Sequence, residues 1–388
     1  MKKQLLFIIL FCIGHGLLLA QTNTATVGQL GNENETEVTQ TGSSLNAIVN
    51  QGTLSSTSGS KVTIEQLGSL NQATASQQGI DHEAKIEQDG SNHLGSISQE
   101  GSDHEAETRQ EGDGQSSTIV QQGDEQTAEV DQEGNSNTST IDQQGEDHFA
   151  DVEQDGNNNL ASMTQRGSDN QANIEQDGDD QAANIVQSDS DNEANISQDG
   201  ISNQADLTQS GGEDNDGEIS QDGTGNVATL QMLGFNGQAD IQQNGNFNSS
   251  LWTQQLDGFD NEGSLSQQGD QNTAVIYQQG LGNMFELSQK GDWNNIGSLD
   301  GPEYGIYQMG EENLASLLQK GDENSASSIQ LGDQNEIDIS QKGDANSAAI
   351  IQQGDGNMLQ LIQNGTEHFS EITQMGNGNN VTIRQNND

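Results

Sequence analysis

Apolar and small residues in this chain do not run in blocks; they return at fixed distances from a recurring glutamine. Two places before it stands an aliphatic residue, as at Ile86, Ile97, Ile119, Val152, Ile174, Ile196 and Leu207. Four places before it stands a small one, as at Ala73, Ala84, Ala106, Ala161, Ala172, Ala194 and Ala205. Six places before it comes Asn71, Asn159, Asn170, Asn192 or Asn203, with His or Gln in some copies. The glutamine itself falls on every eleventh position from Gln66 through Gln77, Gln88, Gln99, Gln110, Gln121, Gln132, Gln143, Gln154, Gln165, Gln176, Gln187 and Gln198 to Gln209. The same series runs again from Gln308 to Gln385. Glycine follows two places later, as at Gly68, Gly79 and Gly90, with Asp189 the exception.

The unit is therefore Asn-x-Ala-x-Ile-x-Gln-x-Gly-x-x. Fixed and variable residues alternate, which is the period of a β-strand with one face buried; a helix does not space residues by two. Eleven is odd, so an unbroken strand would turn its buried face outward in the next copy. The stretch around glycine must bend and absorb the extra residue, which a positive φ makes easy for glycine. The pattern predicts a seven-residue strand, roughly 23 Å long at about 3.3 Å per residue, and a four-residue turn.

The residue after glutamine sets the true period. It is acidic in alternate copies (Asp89, Glu111, Glu133, Asp155, Asp177, Asp199) and mostly neutral between them (Gln78, Glu100, Gln122, Gln144, Arg166, Ser188). One coil is thus two half-repeats. The expected fold is all-β: a β-solenoid of strand-turn-strand coils with parallel pairing, about sixteen coils stacked about 4.8 Å apart. Each coil buries few aliphatic groups, worth at best a few kcal/mol. Stacked Asn and Gln amides, bonded from copy to copy, must supply the remainder. The regularity loosens near 53–61, over 221–267 where Phe235, Phe247, Trp252 and Phe259 appear, and over 291–307 around Pro302. A proline cannot sit inside a ladder, so the last stretch reads as a loop or bulge.

Composition changes this picture only in part. With 28% apolar residues and 3% aromatic, the chain by content alone is disordered; its periodicity says otherwise. The formal charge of −51 excludes a nucleic-acid or anionic-membrane partner, since both need basic patches. Residues 1–20 read as a signal peptide: Lys2 and Lys3, the apolar run Leu5–Ile13, and cleavage after Ala20. That run is too short, and too soon interrupted by Gly14–Gly16, for a membrane span. Cys12 lies within it, so residues 21–388 form one solenoid with no thiol.

The pattern begins at Asn23-x-Ala25-x-Val27-x-Gln29 and ends at Asn379-x-Val381-x-Ile383-x-Gln385, without the atypical caps that keep solenoids monomeric. End-to-end polymerisation of the chain with itself is the expectation.

Segments such as Gln198-Asp-Gly200-Ile-Ser-Asn203-Gln-Ala205-Asp-Leu-Thr-Gln209 resemble the curlin repeat, Gln-x-Gly-x-x-Asn-x-Ala-x-x-x-Gln. The resemblance covers nearly all of residues 21–388. It implies the major subunit of an adhesive, extracellular amyloid fibre of the biofilm matrix on a diderm bacterium. It also implies an outer-membrane secretion channel and a minor nucleator subunit as partners. The family's Ser six places before its Gln is here Asn, His or Gln, which leaves major subunit and nucleator as alternatives. A soluble solenoid binding module or adhesin is the reading from another class.

No candidate chemistry leaves the repeat. His82, His93, His104, His148 and His368 occupy the Asn position, where variation of that position outweighs a metal site. Carboxylates flank one Gln at Glu87/Asp89, Glu153/Asp155 and Glu175/Asp177. Their repulsion across coils predicts assembly hastened by acid, salt or divalent cations. Every Ser, His or Asp belongs to a repeated position, so neither an enzyme nor a cofactor site is expected.

Overall fold

The computed structural model describes residues 22–52, 57–255, 258–297 and 305–387. The expected signal peptide, residues 53–56 and Pro302 lie outside these. All regular elements among the described residues are β-strands, and no helix is long and apolar enough to cross a membrane. The chain divides into two compact units, Met1–Asp169 with Asn173–Asp179, and Asn170–Ala172 with Asp180–Asp388.

Each unit is a β-solenoid. In the first, Glu83–Ser91, Glu105–Asp113, Thr127–Asn135 and Phe149–Asn157 pair in parallel, each residue opposite its copy one coil on. The intervening half-repeats Gln72–Ile80, Leu94–Ser102, Ser116–Asp124, Thr138–Glu146 and Leu160–Ser168 form the opposite sheet in the same way. The second unit repeats the design. On one side it stacks Glu262–Gln268, Met284–Lys290, Leu314–Lys320, Glu336–Lys342, Met358–Asn364 and Asn380–Asn386.

Alternation along each strand decides what is inside. Ala84, Ile86 and Gln88 are 1%, 0% and 2% exposed, while Glu83 and Asp89 face solvent. The interior is thus a sandwich of small, aliphatic and amide side chains shared by two facing sheets.

The strands differ from the expected length. Over most of the first unit they cover nine residues, starting after the Asn position and running through glycine, because Gly90 still pairs with Gly68 and Gly112. The corner is made by two left-handed residues. The first is glycine itself, with φ of 111°, 137° and 130° at Gly68, Gly79 and Gly90. Conformation is only half the reason for it. A Cβ on Gly68 would run into the carbonyl oxygen of Gly90 one coil on. The second is the residue just before the Asn position, with φ near 60° at Leu70, Asp81, Asn92 and Asp103. Asp and Asn tolerate that region better than most residues, and they recur there. At Asp189 no glycine is available; φ is 76° and its strand stops early, at Gln187.

Insertions are absorbed without loss of register. Gln51 pairs with Gln77 across four extra residues, and Thr57 after them is buried. A single extra residue lies between Gln198 and Gln221, so the loosening begins ahead of 221. Gln278 pairs with Gln308, thirty positions on. Here Ile296 continues the small-residue position and Ile306 the aliphatic one, so the extra residues fall in the middle of a half-repeat.

Candidate functional site

A buried amide must find partners for its N–H groups and its oxygen, or it costs stability. Each ladder glutamine finds them in two directions. Along the stack, Nε2 donates to the next Oε1: Gln66 to Gln88 at 2.8 Å, then to Gln110, Gln132, Gln154 and Gln176 at 2.9, 2.9, 2.8 and 2.7 Å. The facing column links Gln77, Gln99, Gln121, Gln143 and Gln165 at 2.9 to 3.0 Å. In the second unit Gln187 donates to Gln209, and Gln198 to Gln221. Across the sandwich, the same Nε2 donates to a carbonyl of the opposite sheet, from Gln88 to Gln72 at 3.0 Å and from Gln99 to Glu83 at 2.8 Å. One side chain therefore ties coil to coil and sheet to sheet. Sequence spacing carries no sign of the second bond.

The Asn position locks the corner. Asn71 Nδ2 donates to the Leu67 carbonyl at 3.1 Å and to that of Gly90 at 3.3 Å, while its Oδ1 accepts the backbone N–H of His93 at 3.1 Å. Asn159 makes the same donations to Asp155 and Gly178. Asn192 donates to Asn170 Oδ1, and Asn226 to Asn203 Oδ1, so here the amides also form a ladder. Glutamine in this position reaches both carbonyls too, Gln115 those of Glu111 and Gly134 and Gln126 those of Gln122 and Gly145, but its longer side chain carries the oxygen away from the backbone N–H of the next coil. Gln115 and Gln126 occupy this position with Oε1 buried and without a hydrogen-bond partner among the described residues.

Histidine keeps the acceptor that glutamine loses. His82 Nδ1 lies 3.4 Å from the His104 backbone N–H, and Nε2 lies 3.3 Å from the Gln78 carbonyl. The neutral ring with its proton on Nε2 therefore copies asparagine: Nδ1 replaces Oδ1 and Nε2–H replaces Nδ2–H. His93 and His104 contact Asp89 and Glu100 alike. The His82 and His104 rings stack at 5.0 Å. Burial holds His82, His93, His104 and His148 below the usual histidine range, against the pull of the carbonyl each one faces. No three His, Cys, Asp or Glu side chains converge on a metal position among the described residues.

The outer face is a set of charge columns. Asp89, Glu111, Glu133 and Asp155 stand opposite one another on successive coils. Lys85 bridges Glu87 and Glu107 at 2.9 and 2.6 Å, and Arg109 bridges Glu111 and Asp131, both at 2.9 Å. Asp151, half-buried and opposite Glu129, is pushed up to about 6 by burial first and by Glu129, Glu153 and Asp131 next.

The outermost strands differ from the inner ones in one respect. Val27 and Gln29 are half-buried and Ala25 is exposed, whereas Ala47, Val49 and Gln51, which stand opposite them, are fully buried. At the other extreme Asn379, Val381, Ile383 and Gln385 are half-buried, against Asn357, Leu359, Leu361 and Gln363 at 1% or less.

A profile of the curlin associated repeat matches residues 58–90, 83–112, 105–134, 123–156, 156–188, 212–245, 258–291 and 332–365. Together these cover more than half of the chain. No curated protein matches it.

Proposed function

Since the chain belongs to the curlin-repeat family, we propose that it is the structural subunit of an extracellular, curli-like amyloid fibre. It leaves the cytoplasm by the signal peptide of residues 1–20 and polymerises end to end outside the cell, with roles in adhesion and biofilm matrix. A nucleator subunit and an outer-membrane secretion channel are its proposed partners. The supporting observation is the half-exposed inner face at both extremes. Asn23, Ala25, Val27 and Gln29, like Asn379, Val381, Ile383 and Gln385, carry the residues that every inner coil buries. A further coil would complete them, and the coil whose residues fit is that of another copy. Gln385 already accepts from Gln363 at 2.8 Å, and its Nε2 is placed to continue the column.

The test is to purify residues 21–388 in denaturant, dilute the denaturant away, and follow an amyloid dye and fibre diffraction. Fibres with a reflection near 4.8 Å along their axis are expected. Thr382→Pro removes a ladder N–H that points out of one edge, since the odd-numbered residues of this strand donate inward as Asn387 does to Asn364, and should slow growth from that edge at least tenfold. A wild-type chain that stays monomeric for days, dye-negative, would sink the reading.

A further inference from the structure

Beyond Lys2 and Lys3 the basic residues are Lys61, Lys85, Arg109 and Arg166 in the first unit, and Lys290, Lys320, Lys342 and Arg384 in the second. The first four are neutralised within the chain. Lys61 meets Glu83 at 2.7 Å, Lys85 and Arg109 each bridge two carboxylates, and Arg166 lies 3.7 Å from Asp142. The lysines of the second unit are arranged otherwise. Lys290 stands opposite Lys320, and Lys320 opposite Lys342, on three successive strands. All three are exposed, and among the described residues none has a carboxylate within 4.0 Å. The residues two places earlier, Ser288, Leu318 and Ser340, carry no charge; two places later Asp292, Asp322 and Asp344 form a row of their own, turned along the stack so that Asp322 and Asp344 Oδ1 accept the backbone N–H of Asp292 and Asp322. Three lysines without an ion-pair partner among the described residues thus stand in a row on strands about 4.8 Å apart, in a chain whose net charge is −51.

Such a row fits a row of anions with the same spacing. The chain carries one in the corresponding position, the residue after the ladder glutamine: Asp89, Glu111, Glu133 and Asp155, held opposite one another by the backbone ladder. Only Glu111 of the four has a basic partner within 4.0 Å among the described residues. We infer that copies of this chain associate side by side, the lysine row Lys290/Lys320/Lys342 of one docking on the acidic row Asp89/Glu111/Glu133/Asp155 of another. A flexible polyanion would also neutralise the lysines, but its charges are not fixed at the strand spacing. Both rows here are, so forming one pair aligns the others.

The inference rests on the fibre reading, in that bundling needs filaments, and the two fail separately. Filament formation is read by dye and diffraction, bundling by filament width in negative stain and by light scattering. Wild-type filaments at low salt should be multiples of the single width and should separate near 1 M salt, where screening acts within about 3 Å. Lys290→Glu/Lys320→Glu/Lys342→Glu should still form filaments, since outward carboxylate columns already occur, but with the bundled fraction reduced at least tenfold. Lys290→Gln/Lys320→Gln/Lys342→Gln should give an intermediate loss. Mixing the Glu variant with filaments carrying Asp89→Lys/Glu133→Lys/Asp155→Lys should restore bundles. Filaments of single width in the wild type, or bundles unchanged in the Glu variant, overturn the pairing while leaving the fibre reading intact. Binding of dextran sulfate to the lysine row without bundling overturns it in favour of a polyanion. Absence of filaments removes both.

Discussion

The stretch from Gln66 to Gln176 and the stretch from Met232 to Phe285 build the same coil by different means. In the first, the glutamine position repeats in every coil, Gln88 over Gln110, and the others vary only among small and aliphatic-sized residues, Ala84 over Ala106 and Ile86 over Thr108. Little apolar area is buried, and the amide column runs without interruption. In the second, Met232 takes the glutamine position while Gln231 turns outward. Gln209 Nε2 then faces Met232 Sδ at 3.7 Å, a weak acceptor in place of an amide oxygen. Gly237 fills the Asn position, where a Cβ would crowd Met232 and Gln254. Trp252 occupies an aliphatic position and Phe285 a small-residue one, meeting edge to face at 4.4 Å. Room for Phe285 comes from Gly263 beneath it, as Gly217 makes room for Met232. Trp252 Nε1 donates to Gln278 Oε1 at 3.2 Å, so even the aromatic insertion is anchored to the column beyond it. A thin solenoid can lose a rung of its amide ladder if a large side chain and a facing glycine fill the same volume.

The sharpest way to break this comparison is to remove the aromatic filler. Phe285→Ala should cost about 3–5 kcal/mol, since Gly263 leaves nothing to collapse into the space, measured by denaturant unfolding of the chain held monomeric. A one-carbon truncation in the regular stretch, Ile86→Val, should cost about 1 kcal/mol. Next come the glycines. Gly112→Ala drives a Cβ into the carbonyl of Gly134, whereas Gly356→Ala meets nothing within 4 Å at a φ of 63°. The first should cost about 3 kcal/mol or more and the second about 1–2 kcal/mol, the price of a left-handed alanine alone. Equal costs would show that φ, and not the close approach of coils, selects glycine.

Gln132→Leu should cost about 2–3 kcal/mol by taking the donor from Gln154 Oε1 in the interior and leaving Gln110 Nε2 with its Leu94 carbonyl alone. The reverse change, Met232→Gln, should return about 1 kcal/mol by giving Gln209 and Gln254 an amide between them. Destabilisation by Met232→Gln would mean that the aromatic cluster depends on the methionine.

The smallest effects are those of pH, and they oppose each other. The folded histidines bind protons less readily than the unfolded chain, so their contribution is complete above about 6.5 and is lost as pH falls below it. His82→Asn/His93→Asn/His104→Asn should flatten this loss. Asp151 has the opposite sign. Its folded value is about 6, so the charged form weakens the fold as pH rises from about 4 to 6. Asp151→Asn should stabilise by about 1 kcal/mol at pH 7, after allowance for solvent screening, with no gain below about pH 4. Stability profiles of the two variants against pH separate these terms.

Much of this was open to reading in the chain itself. A residue type that returns at a fixed spacing of two, within a unit of odd length, can only be a strand with a corner. The alternating charge after glutamine then requires two strands per coil. The inward ranks of Ala, Ile and Gln follow, because a face that is polar in one copy must be polar in all for its amides to pair. Other features depended on contacts between residues that spacing does not join. The second bond of a ladder glutamine, as at Gln88 and Gln99, goes to a carbonyl sixteen residues back, on the other sheet, and further back where residues are inserted, as at Gln308. The second left-handed residue of the corner left only a weak trace, an excess of Asp and Asn before the Asn position. Met232 rather than Gln231 lies inside, in phase with Ala228 and Leu230, and the room it fills is left by Gly217 and Gly237. Periodicity determines which positions are equivalent, because equivalent positions must be able to stack. Which atoms satisfy one another inside the stack is a matter of distance and volume, and these exist only once the two sheets face each other.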